Sequence, residues 1–388
     1  MRFRLTSILL LLLVVASPAW ASNPVLITQG LEQRVDFWKK VYVKYGADDV
    51  IIHDRIHVNL IYAVATKATQ NVKITEIQNA LTEIRSNLET PNNLSPTAVP
   101  IFTTIVAQGF PLSSSLIDHL FANIHIQIGI KERFRDGVIR SGRYVEKFRE
   151  IMTKHDVPAE LALLPLVESS FQNAKSKAGA VGVWQFTSGT GKSYMKITSK
   201  ADERLNPVRS SEAAAHFLLD NYRVLGTWPL AITAYNHGRA GMLQAQKHSG
   251  SDLPTIIGVY RGPVFGYASM NYYSEFIAAV EVYKNYPQYF GDLSLDRPDS
   301  PPYKSPTMKA SNLPAKSTAA VVTTKYKIKN GDTLSDIAQR FGMPTRKLMD
   351  KNKLKKPVIY AGQILLVKQS VHRRSGDNTI STSRLNRL

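Results

Sequence analysis

A mainly α chain with a small βααβ module near its C-terminal end is the fold class that three observations predict. Apolar residues recur at helical spacing within residues 25–291, as with Val145, Phe148 and Met152. Between 292 and 324 the chain places Pro298, Pro301, Pro302, Pro306 and Pro314 among Ser, Thr, Lys and Ala, a linker composition without periodicity. Residues 325–368 then read as strand, helix, helix, strand. A length of 388 residues exceeds one core of about 100 to 200 residues, and 44% hydrophobic content excludes disorder over the whole chain.

Taken in order, residues 1–21 read as a secretory signal. Arg2 and Arg4 precede an apolar run from Ile8 to Ala16, and a small-x-small ending falls at Ala19 to Ala21. That run is short of the roughly 20 residues that span a bilayer, and no second long run follows, so no integral span is expected after cleavage. The expected location is the periplasm or cell envelope. With no cysteine, disulfides, thiolate zinc sites, cysteine nucleophiles and a lipid anchor on an N-terminal cysteine are all excluded. Residues 25–155 are expected to form a helical N-terminal region, with Ile124 and Ile128 at helical spacing. Asp48, Asp49, His53 and Asp54 read there as exposed helix-end charges rather than metal ligands.

Residues 156–291 carry the chemistry. In ELALLPLVE, Leu161, Leu164, Pro165 and Glu168 share one helical face if Pro165 only kinks the helix. A carboxyl continuing an apolar stripe has its ionised form disfavoured, which suits a general acid. The same pattern also describes a glutamate at a helix end with its head in solvent. From Ser169 to Ala201 there is no acidic residue, so Glu168 has no carboxylate partner nearby in sequence. Gly179 and Gly182 permit a tight loop in GAVGVWQF, where Trp184 and Phe186 read either as the wall of a sugar cleft or as turn and core residues. TWPLAITAYNHG reads as a helix with Pro229 early and Gly238 as its C-cap, placing Tyr235 and Asn236 at the helix end. Asp202 and Arg204 read as structural, an N-terminal helix contact or an exposed ion pair.

In the closing module, Tyr326 to Lys329 alternates as a strand, Asn330 to Asp332 turns, and Thr333 with Asp336 resembles a capping box. Gly342 ends that helix, Pro344 opens the next, and Gly362 turns the chain into a strand at Ile364 to Val367. The tail 369–388 is polar, basic and expected to be disordered. Lys plus Arg total 49 against 30 Asp plus Glu, a net charge of +19, of which +14 lies in residues 301–388. The basic character therefore belongs to the tether and module, and outside the cytoplasm it points to anionic envelope polymers rather than nucleic acid.

These motifs, in this order, carry two resemblances. YKIKNGDTLSDIAQRFG and YAGQILLV resemble a LysM module, which implies recognition of N-acetylglucosamine-containing chains by Gly331, Asp332, Thr333 and Leu334 and by the turn at Tyr360 and Gly362, with Tyr360 or Leu334 against a sugar face. LPLVESSF, GAVGVWQF, DERLNPVRSSEAA, AYNHG and NYYSEFIAA resemble the lysozyme-like (SLT) domain of family 1 lytic murein transglycosylases, most like the membrane-bound type D group.

That second resemblance implies a catalytic Glu168 acting as acid and then base, a supporting Ser169, and substrate contacts from Gln185, Tyr235 and Asn236. It implies an orienting tyrosine at Tyr272 or Tyr273, each of which lies on an apolar stripe of its helix. The implied product is a 1,6-anhydromuramoyl end, formed without water, cofactor or metal. Departures from the family pattern are Thr187 and Ser188 after the loop, His237 within AYNHG, and no cysteine for a lipid anchor. The rival readings are a hydrolytic muramidase, which needs a second carboxylate, and a non-catalytic peptidoglycan-binding scaffold.

Overall fold

The computed structural model describes residues 29–176, 179–262, 264–305, 320–329, 332–334, 337–338, 341, 345–354 and 358–371. The expected signal at 1–21, the middle of the expected linker at 306–319, Gly331 of the expected sugar-binding turn, and the tail from 372 onward lie outside the described residues.

Helix α1 (Glu32–Val43) buries Val35, Trp38 and Tyr42 at helical spacing against α13 (Tyr267–Lys284). Buried residues lie all around α13, the pattern of a helix with protein on every side. Around it stand α5 (Lys131–Ser141), α6 (Val145–Lys154), α7 (Pro165–Glu168), α9 (Pro207–Leu225) and α10 (Trp228–His237). Local chemistry sets the ends of α9: Asn206 Oδ1 accepts from the amides of Val208 and Arg209, Pro207 occupies the first turn, and Gly226 at φ +79 ends the helix. One apolar core runs from Leu31 in α1 through Phe134 and Phe148 to Val282, so the expected division at 155 and 156 crosses continuous packing.

The N-terminal region departs from the expected all-helical reading. Strands β1 (Asp49–Asp54), β2 (Ile61–Thr66) and β3 (Ile124–Ile128) form an antiparallel sheet in the order β2-β1-β3. Ile124 and Ile128 are therefore strand residues, paired with Asp54 and Val50. The reason is that a spacing of four is also a multiple of two, and IHIQI alternates β-branched with polar residues. On β1, Val50 and Ile52 point to a second core built with α2 (Gln70–Ser86), α3 (Ala98–Val106) and α4 (Ser114–Ala122), while Ile51 joins the main core. His53 and Asp54 are fully buried on this strand, not exposed at a helix end. Arg34, itself buried, donates to Asn271 Oδ1 at 2.8 Å and to the carbonyl of Ile56, tying the sheet unit to α13.

The first part of the expected linker is also structured. The amide of Asp296 donates to Ile139 O at 2.9 Å, Tyr303 OH donates to Asp136 Oδ1 at 3.1 Å, and Arg143 donates to the carbonyls of Pro298 and Ser300 beside the Asp296 carboxylate. Residues 292–305 thus form a strap on α5. In the closing module, β4 (Ala320–Lys327) and β5 (Ile364–Val371) pair antiparallel over eight residues each, so both strands exceed their expected lengths and take in residues assigned to linker and tail. A helix at Thr345–Lys351 buries Leu348 beneath them.

Arg143→Ala removes two donors to carbonyls of the strap and the partner of a nearly buried Asp296. The expected loss is about 2 kcal/mol, with new limited-proteolysis sites between 292 and 305. An unchanged digestion pattern would contradict the strap.

Candidate active site

A 3-10 turn at Ala159–Leu163 leads into α7, with Pro165 in its first turn, so the expected helix is split rather than merely kinked. Leu161 and Leu164 are fully buried, and α7 ends at Glu168. Immediately after it, Ser170 and Phe171 adopt φ of +52 and +57, a conformation that non-glycine residues hold only when their surroundings impose it. Here those surroundings are explicit: Arg140 donates to Ser170 O at 2.8 Å, Arg133 donates to Ser170 Oγ at 3.1 Å, and the Phe171 ring stacks with Tyr144 and Phe148.

The Glu168 side chain is half-buried. Burial pushes it up to about 7, against the opposing pull of the hydrogen bond that Tyr272 OH donates to its Oε1. Of the two candidate tyrosines, Tyr272 makes this bond while Tyr273 lies inside the core at 1% exposure. Helical direction decides between them, since adjacent positions on α13 are about 100° apart.

The loop 179–186 is tied to Ser169, the residue after Glu168, and to several other side chains. Ser169 Oγ donates to Val183 O at 2.7 Å and Tyr235 OH to Trp184 O at 2.8 Å. Trp184 Nε1 donates to Ser211 Oγ at 2.7 Å, and Gln185 Nε2 donates to Gly182 O at 2.7 Å and Ala174 O at 3.1 Å. Arg204, 7% exposed, donates to Phe186 O at 3.1 Å while Asp202 grips its guanidinium through both carboxylate oxygens. Of the two structural readings of this pair the helix contact fits, with Asp202 Oδ1 accepting from the Arg204 amide at the start of a 3-10 turn, and the pair is in addition a clamp on the loop rather than exposed.

Trp184 and Phe186 belong to the core at 0% and 2% exposure, against Phe148 and Phe217, so they are not cleft walls. Gln185, at φ +50, spends its amide hydrogens on the loop. Asn236 is exposed at the end of α10, its Oδ1 accepting from Ser269 Oγ at 3.2 Å, and His237 sits beside the same serine.

One neighbour escaped the sequence reading. Glu275 lies on α13 one turn beyond Tyr272, and burial together with the charge of Glu168 pushes it up to about 8. It stands inside NYYSEFIAA, three residues after Tyr272, but 107 residues along the chain from Glu168, so nothing local pairs the two carboxyls.

In the closing module, Leu334 is packed in the core, whereas Tyr360 is 72% exposed and is the aromatic available to a sugar face. Asp332 accepts from Tyr326 OH at 2.7 Å and from the amide of Lys329 at 2.9 Å, Thr333 is nearly buried, and Gly362 holds φ +87 at the turn. A cavity of about 610 Å³ is lined by Arg55, Arg261 and Phe265 and by Lys329 and Asp332, away from Glu168.

A Cβ at Gly182, φ +84, would stand 1.9 Å from the Arg204 carbonyl oxygen. Gly182→Ala must therefore displace the loop, with an expected cost on the order of 3 kcal/mol and a red-shifted, quenched Trp184 fluorescence; a Trp184 environment like that of the parent would contradict the tight approach.

The family described as Transglycosylase SLT domain matches residues 147–255, and the family described as LysM domain matches residues 326–368. Over 120 residues the chain is 35% identical to "Membrane-bound lytic murein transglycosylase D" of Escherichia coli (strain K12), covering 30% of this chain and 26% of that protein. It is 38% identical over 95 residues to "Putative tributyltin chloride resistance protein" of Alteromonas sp. (strain M-1), covering 24% and 46% respectively, and 41% identical over 61 residues to "Autolysin" of Enterococcus faecalis, covering 16% and 8%. The chain thus spans about a quarter of the first relative's length. Tyr272 and Glu275 lie beyond the SLT match. Residues 147–255 are thus similar to transglycosylase SLT domains, and residues 326–368 to LysM domains.

Proposed function

We propose that this protein is a peptidoglycan lytic transglycosylase of the cell envelope, cutting the β-1,4 bond between N-acetylmuramic acid and N-acetylglucosamine and held to the wall by its LysM domain. The observation that carries the reading is the half-buried Glu168 carboxyl, raised to about 7 and bonded by Tyr272, inside a segment that matches the SLT domain family. In the reaction Glu168 gives its proton to the glycosidic oxygen as the muramoyl C1–O bond breaks. The resulting carboxylate then takes the proton of the C6 hydroxyl while O6 bonds to C1, closing a 1,6-anhydro ring. Proton and electron counts balance on one carboxyl, and no water enters.

Glu275 supplies the second carboxyl that hydrolysis by a muramidase would use. A split acid and base pair needs one group protonated and the other ionised at the working pH. Here burial pushes both upward, so neither is held as the ready carboxylate that a split pair requires, which supports the one-carboxyl route. Secretion through residues 1–21, with cleavage after Ala21, and a weak attraction of the basic residues 301–388 to anionic wall polymers complete the reading.

Digestion of purified peptidoglycan, followed by mass spectrometry, is expected to release muropeptides one water lighter than hydrolysis products. Glu168→Gln is expected to lower the rate at least about 100-fold, and the wild-type rate to fall as pH rises through about 7, where Glu168 loses its proton. Reducing-end products would overturn the transglycosylase reading. Deleting residues 326–368 is expected to weaken co-sedimentation with insoluble wall more than it slows cleavage of soluble fragments; equal losses would contradict a tethering role.

A further inference from the structure

We propose that His237 is a positioning residue for substrate: through Ser269 it fixes the side-chain amide of Asn236 with its hydrogens outward, where they donate to an oxygen of the glycan. The inference rests on the proposed function for its substrate, and it stands on a hydrogen-bonded chain between two helices. Asn236 and His237 are the last two residues of α10, and Ser269 lies in the first turn of α13. His237 Nδ1 lies 3.2 Å from Ser269 Oγ, and Ser269 Oγ lies 3.2 Å from Asn236 Oδ1. Ser269 is buried, whereas Asn236 is exposed. Three residues after Ser269, on the same face of α13, Tyr272 bonds the Glu168 carboxyl. The exposed amide is therefore anchored about one helical turn, roughly 5 Å along the axis, from the acid's partner.

The ring sets the direction of the chain. Burial holds the His237 imidazole below its ordinary range, so near neutral pH one ring nitrogen donates while the other keeps a lone pair. The Nε2 edge lies against Gly241 in the first turn of α11 (Arg239–Ser249), where an added Cβ would stand 2.4 Å from Nε2. Backbone N–H groups make the first turn of a helix electropositive, which favours a lone pair on Nε2 and so places the hydrogen on Nδ1. Nδ1–H then donates to Ser269 Oγ. The serine's single hydrogen goes to Asn236 Oδ1, and both Asn236 Nδ2 hydrogens are left for a ligand.

The opposite tautomer would reverse every donor in the chain and turn the Asn236 carbonyl outward instead. The ring is held in place from two sides. Phe265 meets it edge-on at a centroid distance of 5.1 Å, and Gly241 leaves the room that the imidazole occupies. His237 is the departure from the family pattern within AYNHG, and this packing gives the larger side chain a task. An outward amide NH2 suits acceptors, and a glycan of N-acetylated sugars offers them as acetamido carbonyls and hydroxyl oxygens. His237 itself touches no substrate and acts only through Ser269.

The test is steady-state cleavage of soluble peptidoglycan fragments by the full chain, counting every new chain end, anhydro or reducing. His237→Ala is expected to raise KM roughly tenfold with a smaller change in kcat, as the loss of one hydrogen bond used in binding does. His237→Asn, whose amide can donate from near the Nδ1 position, is expected to return most of that loss. Gly241→Ala keeps the imidazole and improves helix propensity but displaces the ring from Ser269, and is expected to raise KM as His237→Ala does. Ser269→Ala combined with His237→Ala is expected to cost no more than either alone. A KM in His237→Ala equal to that of wild type, a fall in kcat that His237→Asn does not restore, or fully additive losses would each overturn the proposal. The ring ¹⁵N resonances of His237 need no turnover: a hydrogen on Nδ1 is expected, and a hydrogen on Nε2 would overturn the inference. Reducing ends in place of anhydro ends would remove the proposed reaction, while the KM series and the ¹⁵N result would still decide the role of His237.

Discussion

The hydrogen bond from Tyr272 to Glu168 joins two segments 104 residues apart, and the surrounding structure serves to keep it enclosed. A carboxyl on a four-residue helix has little local support. Its position depends on α13 being buried along nearly its whole length, so that a phenol projecting from it meets Glu168 where both are largely withdrawn from solvent. Burial raises the carboxyl while the phenol lowers it, and burial is the larger of the two effects. The acid is thereby held close to neutrality rather than locked in either form.

Most of the polar side chains that surround this carboxyl hold backbone rather than face open space. Ser169, Tyr235, Gln185 and Arg204 all donate to carbonyls of the 174–186 segment, and Trp184 anchors it in the core. Three of the five described non-glycine residues with positive φ, Ser170, Phe171 and Gln185, sit next to Glu168 or on this loop. Strain of this kind persists only where neighbours over-determine the backbone, and the arginines and aromatic stacks supply that constraint. The N-terminal sheet unit contributes at one remove. Arg34 links it to Asn271, the residue before Tyr272, so the unit braces the helix that carries the acid's partner.

Several elements were legible from local chemistry alone. The glycine-permissive loop at 182 and the helix stop at Gly238 follow from turn geometry within a few residues. Other elements misled for equally physical reasons. Ile124 and Ile128 fit a helix and a strand equally well because four is a multiple of two. The proline-rich segment 292–305 has linker composition, yet Arg143, Asp136 and Ile139 bind it through its backbone and polar groups, which hydrophobic periodicity does not register.

The sequence by itself determined which residues could do the chemistry, because Glu168, the glycine-permissive loop and the capped helices are specified by neighbours in the chain. Tertiary structure decided which of them act together. It brought Tyr272 rather than Tyr273 to the carboxyl, sent Trp184 and Leu334 inward, left Tyr360 outside, and set Glu275 beside Glu168. Each of those outcomes depends on helix rotation and long-range packing, and a carboxyl's protonation depends on everything that excludes water from it, wherever in the chain that lies.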